Sequence, residues 1–276
     1  MTTLKRIVNE LVLIEGGNFL MGNPLSDNDI LRLRESYQKK AGSLATTQAE
    51  TWPYKIDLSL PTVYVDSFWI SRYPIMQQEW VRVMTKNPSA FSDPIRPVEC
   101  VTWLQAIEFC NQRSYDEGLT PCYKMTKGQI SCHFQANGYR LPTEAEWAYA
   151  ARGGRARTNF VFPGGNDVDA VAWHRLNSGK QTHPVGRKQS NELGLYDLAG
   201  NVYELCWDWH KPHYLPETGT VNPRGPDQPA RMHKRVVRGG CYLNQPHLLY
   251  TGRRLGRTMD EWNDHLGFRV VRSAVQ

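Results

Sequence analysis

The stretch from residue 137 to residue 154 constrains the fold of this chain more than any other, because it contains a complete set of helix signals. Pro142 ends the preceding extended chain, and Thr143 is placed to cap a helix. Glu146 stands three residues after Thr143, which is the spacing of a capping box, and Gly153 follows the apolar run as a stop signal. The sequence therefore predicts a short, sharply bounded helix at this point.

Elsewhere the hydrophobic pattern predicts a mixture of helices and short strands. Apolar positions at helical spacing predict helices over 75–84 and 102–113, with Thr102 as an N-cap. Gly16 and Gly17 separate two strand-like runs and predict a hairpin. Residues 155–235 are rich in Gly, Pro and Asn and indicate long ordered loops. The predicted strands cover residues 7–14, 18–22, 61–73, 235–242 and 266–272.

Length and composition predict a folded domain with a hydrophobic core, and they argue against a nucleic-acid partner and a membrane span. The chain has 276 residues, of which 40% are hydrophobic, and a formal net charge of +6 at pH 7. Its basic clusters, around 152–157 and 231–238, are not interleaved with aromatic residues, so a nucleic-acid partner is not expected. No apolar run is long enough for a membrane span, and no secretory signal is visible. We expect a monomer, and the compartment stays open.

The six cysteines do not form a metal-binding signature. No two of them have C-x-x-C spacing, and no zinc-type Cys/His pattern is present. Isolated thiols in a reducing compartment are one interpretation. The other is a disulfide, for which Cys122 and Cys132, on either side of a short loop, are the best candidates.

Four motifs in order carry a family resemblance. They are the helix region 137–154, the stretch Asn-Glu-Leu-Gly-Leu-Tyr-Asp-Leu-Ala-Gly-Asn-Val-Tyr-Glu at 191–204, Arg-Gly-Gly at 238–240 and Gly-Phe-Arg at 267–269. Together they resemble the formylglycine-generating-enzyme (sulfatase-modifying-factor) family. The resemblance implies an α+β domain with a C-type-lectin-like fold, short antiparallel sheets, a few helices and long ordered loops. It covers nearly the whole chain, from Val12 to Val271, and we expect residues 1–276 to form a single domain. The polar, charged stretch at about 24–56 is predicted to be an exposed insertion, partly helical around 29–39.

The resemblance also implies where chemistry would reside. In the oxygen-dependent enzymes of this family, two cysteines bind copper, and soft thiolates suit Cu(I). The corresponding positions here are Asn244 and Leu249, while Cys241 stands where the family usually has Ser. Formylglycine-generating activity is therefore not expected. The alternative is an oxidoreductase with an atypical site around Cys241.

A structural calcium ion is a second implication of the resemblance. Three backbone carbonyls and one carboxylate would hold it, and oxygen ligands suit this hard ion: Ala199, Gly200, Val202 and Glu204. Tyr203 and Leu205 replace the two Trp that the family usually has beside Glu204. The competing interpretation is that Asn201 and Glu204 bond loop amides instead. No other cofactor is expected to be required.

The segment 241–265 is the candidate ligand-binding face, because ordered family sequence flanks it and no regular pattern persists inside it. A subgroup of the family, the variable proteins of diversity-generating retroelements, is similar in ending just after a Gly-Phe-Arg strand and in diversifying this segment. Mutated Asn-type codons yield many of the residues present here, but not Gln245, Met259, Glu261 or Trp262. The candidate contact residues are Tyr242, Leu243, Asn244, His247, Leu248, Tyr250, Asp260, Trp262, Asn263 and His265.

These observations predict a non-catalytic ligand-binding protein. Its partner would be a protein or another macromolecule on another cell or particle, and a variable binding protein would be displayed at the cell surface. The alternative for the segment is that its aromatic residues fill the family's pocket and pack internally. The arginines of the segment, Arg253, Arg254 and Arg257, are predicted to pair with carboxylates as part of the scaffold.

Overall fold

The computed structural model describes residues 9–22, 25–41, 61–126, 128–212, 220–230 and 232–274. Within these ranges the chain forms short strands and short helices joined by long loops. The helices are α1 (Asp27–Ala41), α2 (Gln77–Met84), α3 (Trp103–Asp116), α4 (Glu144–Ala151) and α5 (Val168–Val171). The strands are β1 (Leu11–Ile14), β2 (Gly17–Leu20), β3 (Thr62–Val65), β4 (Phe68–Ser71), β5 (Tyr123–Thr126), β6 (Gln129–Cys132), β7 (Tyr203–Trp209), β8 (Lys234–Arg238), β9 (Leu255–Thr258), β10 (Leu266–Gly267) and β11 (Val271–Ser273).

The described strands form two sheets and two ribbons. One sheet has the order β1-β4-β11 and is antiparallel throughout, so the first and last described strands flank the same central strand. The other has the order β10-β7-β8-β9, in which only the short β10–β7 pair is parallel. The ribbons are β2–β3 and β5–β6, both antiparallel. The expected short antiparallel sheets are thus present, with one parallel pair.

The hairpin predicted at Gly16 and Gly17 is wrong, because β1 and β2 do not pair with each other. β1 pairs with β4, and β2 pairs with β3. Gly16 instead allows a close approach of two backbones, since a Cβ there would lie 2.5 Å from the carbonyl oxygen of Val65. The N–H of Gly16 donates to Ser67 Oγ at 3.0 Å. At these two glycines the chain passes from β1, in the β1-β4-β11 sheet, to β2, in the β2–β3 ribbon.

The helix signals are confirmed in detail. Thr143 Oγ1 accepts from the N–H of Glu146, and the Glu146 carboxylate accepts from the N–H of Thr143, which completes the capping box of α4. Thr102 and Gln105 form the same reciprocal pair at the start of α3. Gly153 follows α4 with φ +86°, the left-handed geometry of a helix stop.

Four strands lie where the sequence predicts no strand. β5 and β6 occupy the predicted short loop between Cys122 and Cys132. β7 falls inside the loop-like region 155–235, yet it is an inner strand of the four-stranded sheet. Residues that point to either face of β7 are mostly buried, so the strand lacks the alternation of apolar and polar residues that identifies a half-buried strand. β9 lies inside the segment 241–265 and is only partly buried, and its Gly and Arg residues do not indicate a strand.

The core is divided into three parts. The first surrounds α3, where Trp80 stacks on Phe109 with ring centroids 5.5 Å apart and Phe268 contacts both edge-on. The second lies between α4 and the β1-β4-β11 sheet. The third is smaller and joins α1, through Tyr37, to the chain around Tyr250.

Helix α1 belongs to the segment predicted as an exposed insertion, and its helical character around 29–39 is confirmed. The helix packs against a short 3₁₀ helix, Pro246–Leu248, instead of standing away from the body. Residue 24 and residues 42–56, the rest of the predicted insertion, lie outside the described residues.

All six cysteines are free thiols, so the candidate disulfide between Cys122 and Cys132 is not formed. Cys110 and Cys206 are fully buried core residues. No helix among the residues that the structure describes is both long and apolar enough to cross a bilayer.

Gly200 provides a test of the loop packing. Its φ is +74°, and an added Cβ would lie 2.0 Å from the carbonyl oxygen of Trp173. We expect Gly200→Ala to lower the free energy of unfolding by more than about 3 kcal/mol, because both strain and a backbone clash result. Chemical denaturation measures this loss.

Gly179→Ala is the matched control, since Gly179 has φ +62° but a Cβ there would meet only Gln181 Nε2, at 3.9 Å. We expect it to cost about 1 kcal/mol, which is the strain alone. Equal losses in the two variants would show that the contact between Gly200 and Trp173 is not tight.

Candidate functional site

A buried ion pair lies at the centre of the motif-bearing region. Glu204 on β7 and Arg269, just after β10, are both fully buried. Arg269 donates from Nε and Nη2 to the two carboxylate oxygens of Glu204, each at 2.6 Å. Trp147 Nε1 on α4 donates to the same carboxylate at 2.6 Å. The Arg269 guanidinium also donates to the carbonyls of Ser71 and Tyr196, so five separate pieces of chain meet at this pair.

This arrangement does not fit the calcium site that the family resemblance implies. Both oxygens of Glu204 already face the positive guanidinium of Arg269, and a cation on the same oxygens would be repelled. Asn201 accepts from the N–H of His183 and donates to its carbonyl, while Asp197 accepts from the N–H of Gly186. The 197–204 turn is therefore held by loop amides and Arg269.

The Glu204–Arg269 pair yields a stability prediction. Glu204→Gln leaves the guanidinium of Arg269 buried without its counter-charge, which we expect to cost about 3–5 kcal/mol in unfolding free energy. The control is Glu15→Gln, because Glu15 pairs with Arg155 at 2.8 Å with both side chains about two-thirds exposed. That change should cost less than about 1 kcal/mol.

Thermal unfolding of both variants and the parent, with and without added CaCl₂, completes the comparison. We expect calcium to leave all three midpoints unchanged. A calcium-dependent rise in the parent that is lost in Glu204→Gln would instead assign Glu204 to an ion.

The segment 241–265 begins where the chain leaves β8 through two glycines. Gly239 and Gly240 have φ of +84° and +75°, which turn the chain sharply after Arg238. The 3₁₀ helix, β9 and the loop 259–265 follow. Two of the three arginines pair with carboxylates as predicted: Arg254 binds Glu144 with two hydrogen bonds of 2.7 Å, and Arg257 pairs with Glu261 at 3.1 Å. Arg253 donates to the carbonyl of Leu248 at 3.4 Å.

The ten candidate contact residues of the segment differ in their exposure to solvent. Three are exposed and three are half-buried, and the remaining four are buried. The exposed ones are Leu243, Asp260 and Trp262, the half-buried ones are His247, Asn263 and His265, and the buried ones are Tyr242, Asn244, Leu248 and Tyr250. Only the first six can touch a ligand without rearrangement of the chain.

Two of the buried residues serve as internal clamps. The Tyr242 hydroxyl bonds the carboxylate of Asp264, and the Tyr242 ring meets Phe91 edge-on at 5.7 Å. Asn244 accepts from the N–H of Cys241 through Oδ1 at 2.9 Å. For these residues the interpretation as internal packing holds.

The other two buried residues, Leu248 and Tyr250, lie beside α1. Tyr250 and Leu249 share a core cluster with Tyr37 of that helix. Half-buried His247 has its pKa lowered to about 4, first by burial and then by the positive charges of Arg34 on α1 and Arg253. His247 is therefore neutral at physiological pH. Sequence reasoning missed that the insertion helix borders this segment, since nothing in its sequence names its packing partner.

The two positions that the family resemblance matches to the copper-binding cysteines hold residues without a thiol. Asn244 and Leu249 are both buried and supply no thiolate. Cys241 is 1% exposed, and burial raises the pKa of its thiol to about 12, so it stays protonated. A buried, protonated thiol is a poor nucleophile and a poor copper ligand.

The fold and the arrangement of the motifs together define a scaffold of the formylglycine-generating-enzyme type. Residues 1–274 match the family model described as "Sulfatase-modifying factor enzyme 1-like domain", and the chain belongs to this family.

Comparisons with individual proteins agree with this assignment. "Chaperone protein LppX" of Paenibacillus barcinonensis is 41% identical over 256 residues, which is 79% of this chain and 85% of that protein. A formylglycine-generating enzyme of Streptomyces coelicolor is 40% identical over 154 residues, or 50% of this chain and 48% of the enzyme. The chain thus matches about half of the enzyme's length.

Solved structures show the same fold. "Treponema denticola variable protein 1" is 29% identical with a TM-score of 0.78, and the match covers 98% of this chain and 97% of that one. CarF, at 23% identity and a TM-score of 0.63, covers 96% of this chain and 98% of its own and supports the fold alone. The C-type-lectin-like fold of the formylglycine-generating-enzyme type is confirmed.

Proposed function

We propose that this chain is a non-catalytic binding protein that presents a recognition surface on its family scaffold. The observation that carries the proposal is the state of the catalytic positions. Asn244 and Leu249 are buried in structural contacts where the enzymes have thiols, and Cys241 is buried and protonated. A protein without the family's reactive groups retains a rigid frame and an exposed segment, and binding is the use that these support.

The comparisons support a binding role and a polypeptide partner. The variable protein from Treponema denticola matches almost the whole chain. The relative from Paenibacillus barcinonensis is named a chaperone, a class of protein that acts on other polypeptides. Both argue for a macromolecular partner of this chain.

The exposed part of the segment has the rigidity that recognition requires. The carbonyl of Met259 accepts from the N–H of Trp103, and the carbonyl of Asn263 accepts from the N–H of Cys100. These bonds hold the 259–265 loop against the start of α3. Trp262 is 64% exposed at its centre, so a large aromatic surface is displayed at little entropic cost on binding.

The competing function is an oxidoreductase with an atypical site, which the identity to the Streptomyces enzyme over half of the chain favours. Oxygen uptake by the purified protein, with Cu(I) and a thiol-containing peptide, tests it. We expect the rate of the protein-free background, because no thiolate pair is available for copper. Cys241→Ser should leave this rate unchanged, as should the control Cys132→Ser. Copper-dependent uptake that only Cys241→Ser abolishes would overturn the proposal.

Deep sequencing of this gene in one growing population tests whether the surface is diversified. We expect substitutions at the exposed or half-buried positions Leu243, His247, Asp260, Asn263 and His265. Tyr242, Asn244, Leu248 and Tyr250 should be constant because their side chains pack internally. Codons for Arg238–Gly240 and for Gly267–Arg269 serve as the internal control and should not vary. A uniform segment would contradict diversification and indicate one dedicated partner.

A further inference from the structure

The loop 174–180 is attached along the segment 242–244 by two hydrogen bonds. The N–H of Arg175 donates to the carbonyl of Asn244 at 2.9 Å, and Ser178 Oγ donates to the carbonyl of Tyr242 at 3.0 Å. The start of the loop is also held in place, because His174 is buried, at 1% exposure, and its Nε2 lies 2.9 Å from Asp169 Oδ1. The recognition surface therefore continues from the C-terminal segment onto this loop.

Two leucines are exposed on opposite sides of this seam. Leu176 is 48% exposed on the loop, and Leu243 is 38% exposed on the segment. A single exposed leucine is ordinary, but Leu176 directly follows Arg175 and Leu243 directly precedes Asn244, and these two residues are hydrogen-bonded. We therefore treat the two leucines as one apolar patch on a rigid support. Such a patch gains free energy when a partner's apolar side chains cover it.

Three cations and two carboxylates lie around these leucines. Arg175 and Lys180 are exposed on the loop, and Arg34 of α1 lies close enough to lower the pKa of His247. The side chain of Asp169 is 58% exposed and is bonded to His174 and Asn177, and that of Asp264 is 41% exposed and is bonded to His265 and to the Tyr242 hydroxyl. Because both carboxylates already have partners, the three cations leave an excess of positive charge. We call the surface formed by Arg34, Arg175, Leu176, Lys180, Leu243 and His247 the basic rim.

We propose that the basic rim binds an acidic polypeptide segment that carries leucine-sized apolar side chains. The proposal rests on the binding function above and names the class of partner. Carboxylates of the partner would face Arg175, Lys180 and Arg34, while its apolar side chains would cover Leu176 and Leu243. The charges set orientation and association rate, and the covered leucines supply affinity.

A polypeptide fits the rim better than a nucleic acid does. Proteins that bind single-stranded nucleic acid without sequence preference stack its bases on free aromatic faces. Trp173, the aromatic residue that precedes the loop, has its ring stacked on His183 at 3.7 Å and Lys188 4.2 Å from its centroid. The exposed leucines would gain nothing from phosphates.

Fluorescence anisotropy with labelled decamers tests the chemistry directly. The probe is a peptide of alternating Glu and Leu, and the comparators are alternating Lys and Leu, alternating Glu and Gln, and a thymidine decanucleotide. We expect the Glu–Leu peptide to bind at least about tenfold more tightly than any comparator, and its affinity to fall as salt rises. Preference for the Lys–Leu peptide or for the nucleotide would overturn the proposal.

Charge-reversal variants locate the site. Arg175→Glu combined with Lys180→Glu should weaken the Glu–Leu peptide by at least about tenfold. The matched control is Lys86→Glu combined with Lys124→Glu, two exposed lysines outside the rim, and it should change affinity by less than about twofold. Equal weakening in both pairs would reduce the effect to net charge and overturn the assignment to the rim.

Apolar variants test the leucine patch separately. Leu176→Ser combined with Leu243→Ser should weaken binding by at least about tenfold. Leu13→Ser combined with Leu20→Ser is the control, since these leucines are 45% and 52% exposed on β1 and β2. Thermal unfolding of each variant verifies that it is folded. If none of the three peptides binds while oxygen uptake stays at background, the rim proposal fails and the proposed binding function remains. Copper-dependent oxygen uptake would instead overturn the proposed binding function itself.

Discussion

The rest of the structure depends on the buried ion pair between Glu204 and Arg269. A guanidinium and a carboxylate without access to water are stable only when nearly every donor and acceptor is satisfied. Here the pair joins β7, the Gly-Phe-Arg segment and α4 through Trp147, and it reaches the end of β4 through the carbonyl of Ser71. The motifs that are far apart in the chain are therefore parts of one charge-satisfied centre, which explains why they occur together.

That centre lies beside both ends of the segment 241–265, because Glu204 on β7 is aligned with Arg238 on β8 and is bonded to Arg269. Arg238 and Arg269 precede and follow the segment, and both are buried. Between them, the side chain of Asn244 accepts from the N–H of Cys241, and its backbone carbonyl accepts from the N–H of Arg175. Asn244 therefore shapes the turn after β8 through its amide and anchors loop 174–180 through its main chain.

The surface that this support carries is wider than the C-terminal segment. Helix α1 reaches it through Tyr37 and Arg34, and loop 174–180 reaches it through Arg175 and Ser178. Their contributions differ, because α1 covers buried Leu249 and Tyr250 while the loop adds exposed charge and an exposed leucine. A partner would therefore meet residues from three distant parts of the chain.

The sequence by itself determined the local features and the family. The capping boxes at Thr102 and Thr143 and the helix around 29–39 depend on neighbours a few residues apart, so they are legible in one dimension. Tertiary structure decided which of the ten candidate contact residues are exposed and that β7 is a strand. It also decided that the chain at Gly16 connects two different sheets and does not form a hairpin turn. It also paired the Glu204 carboxylate with Arg269, which lies 65 residues further along the chain. Burial and pairing of this kind arise between segments distant in sequence, and no local pattern records them.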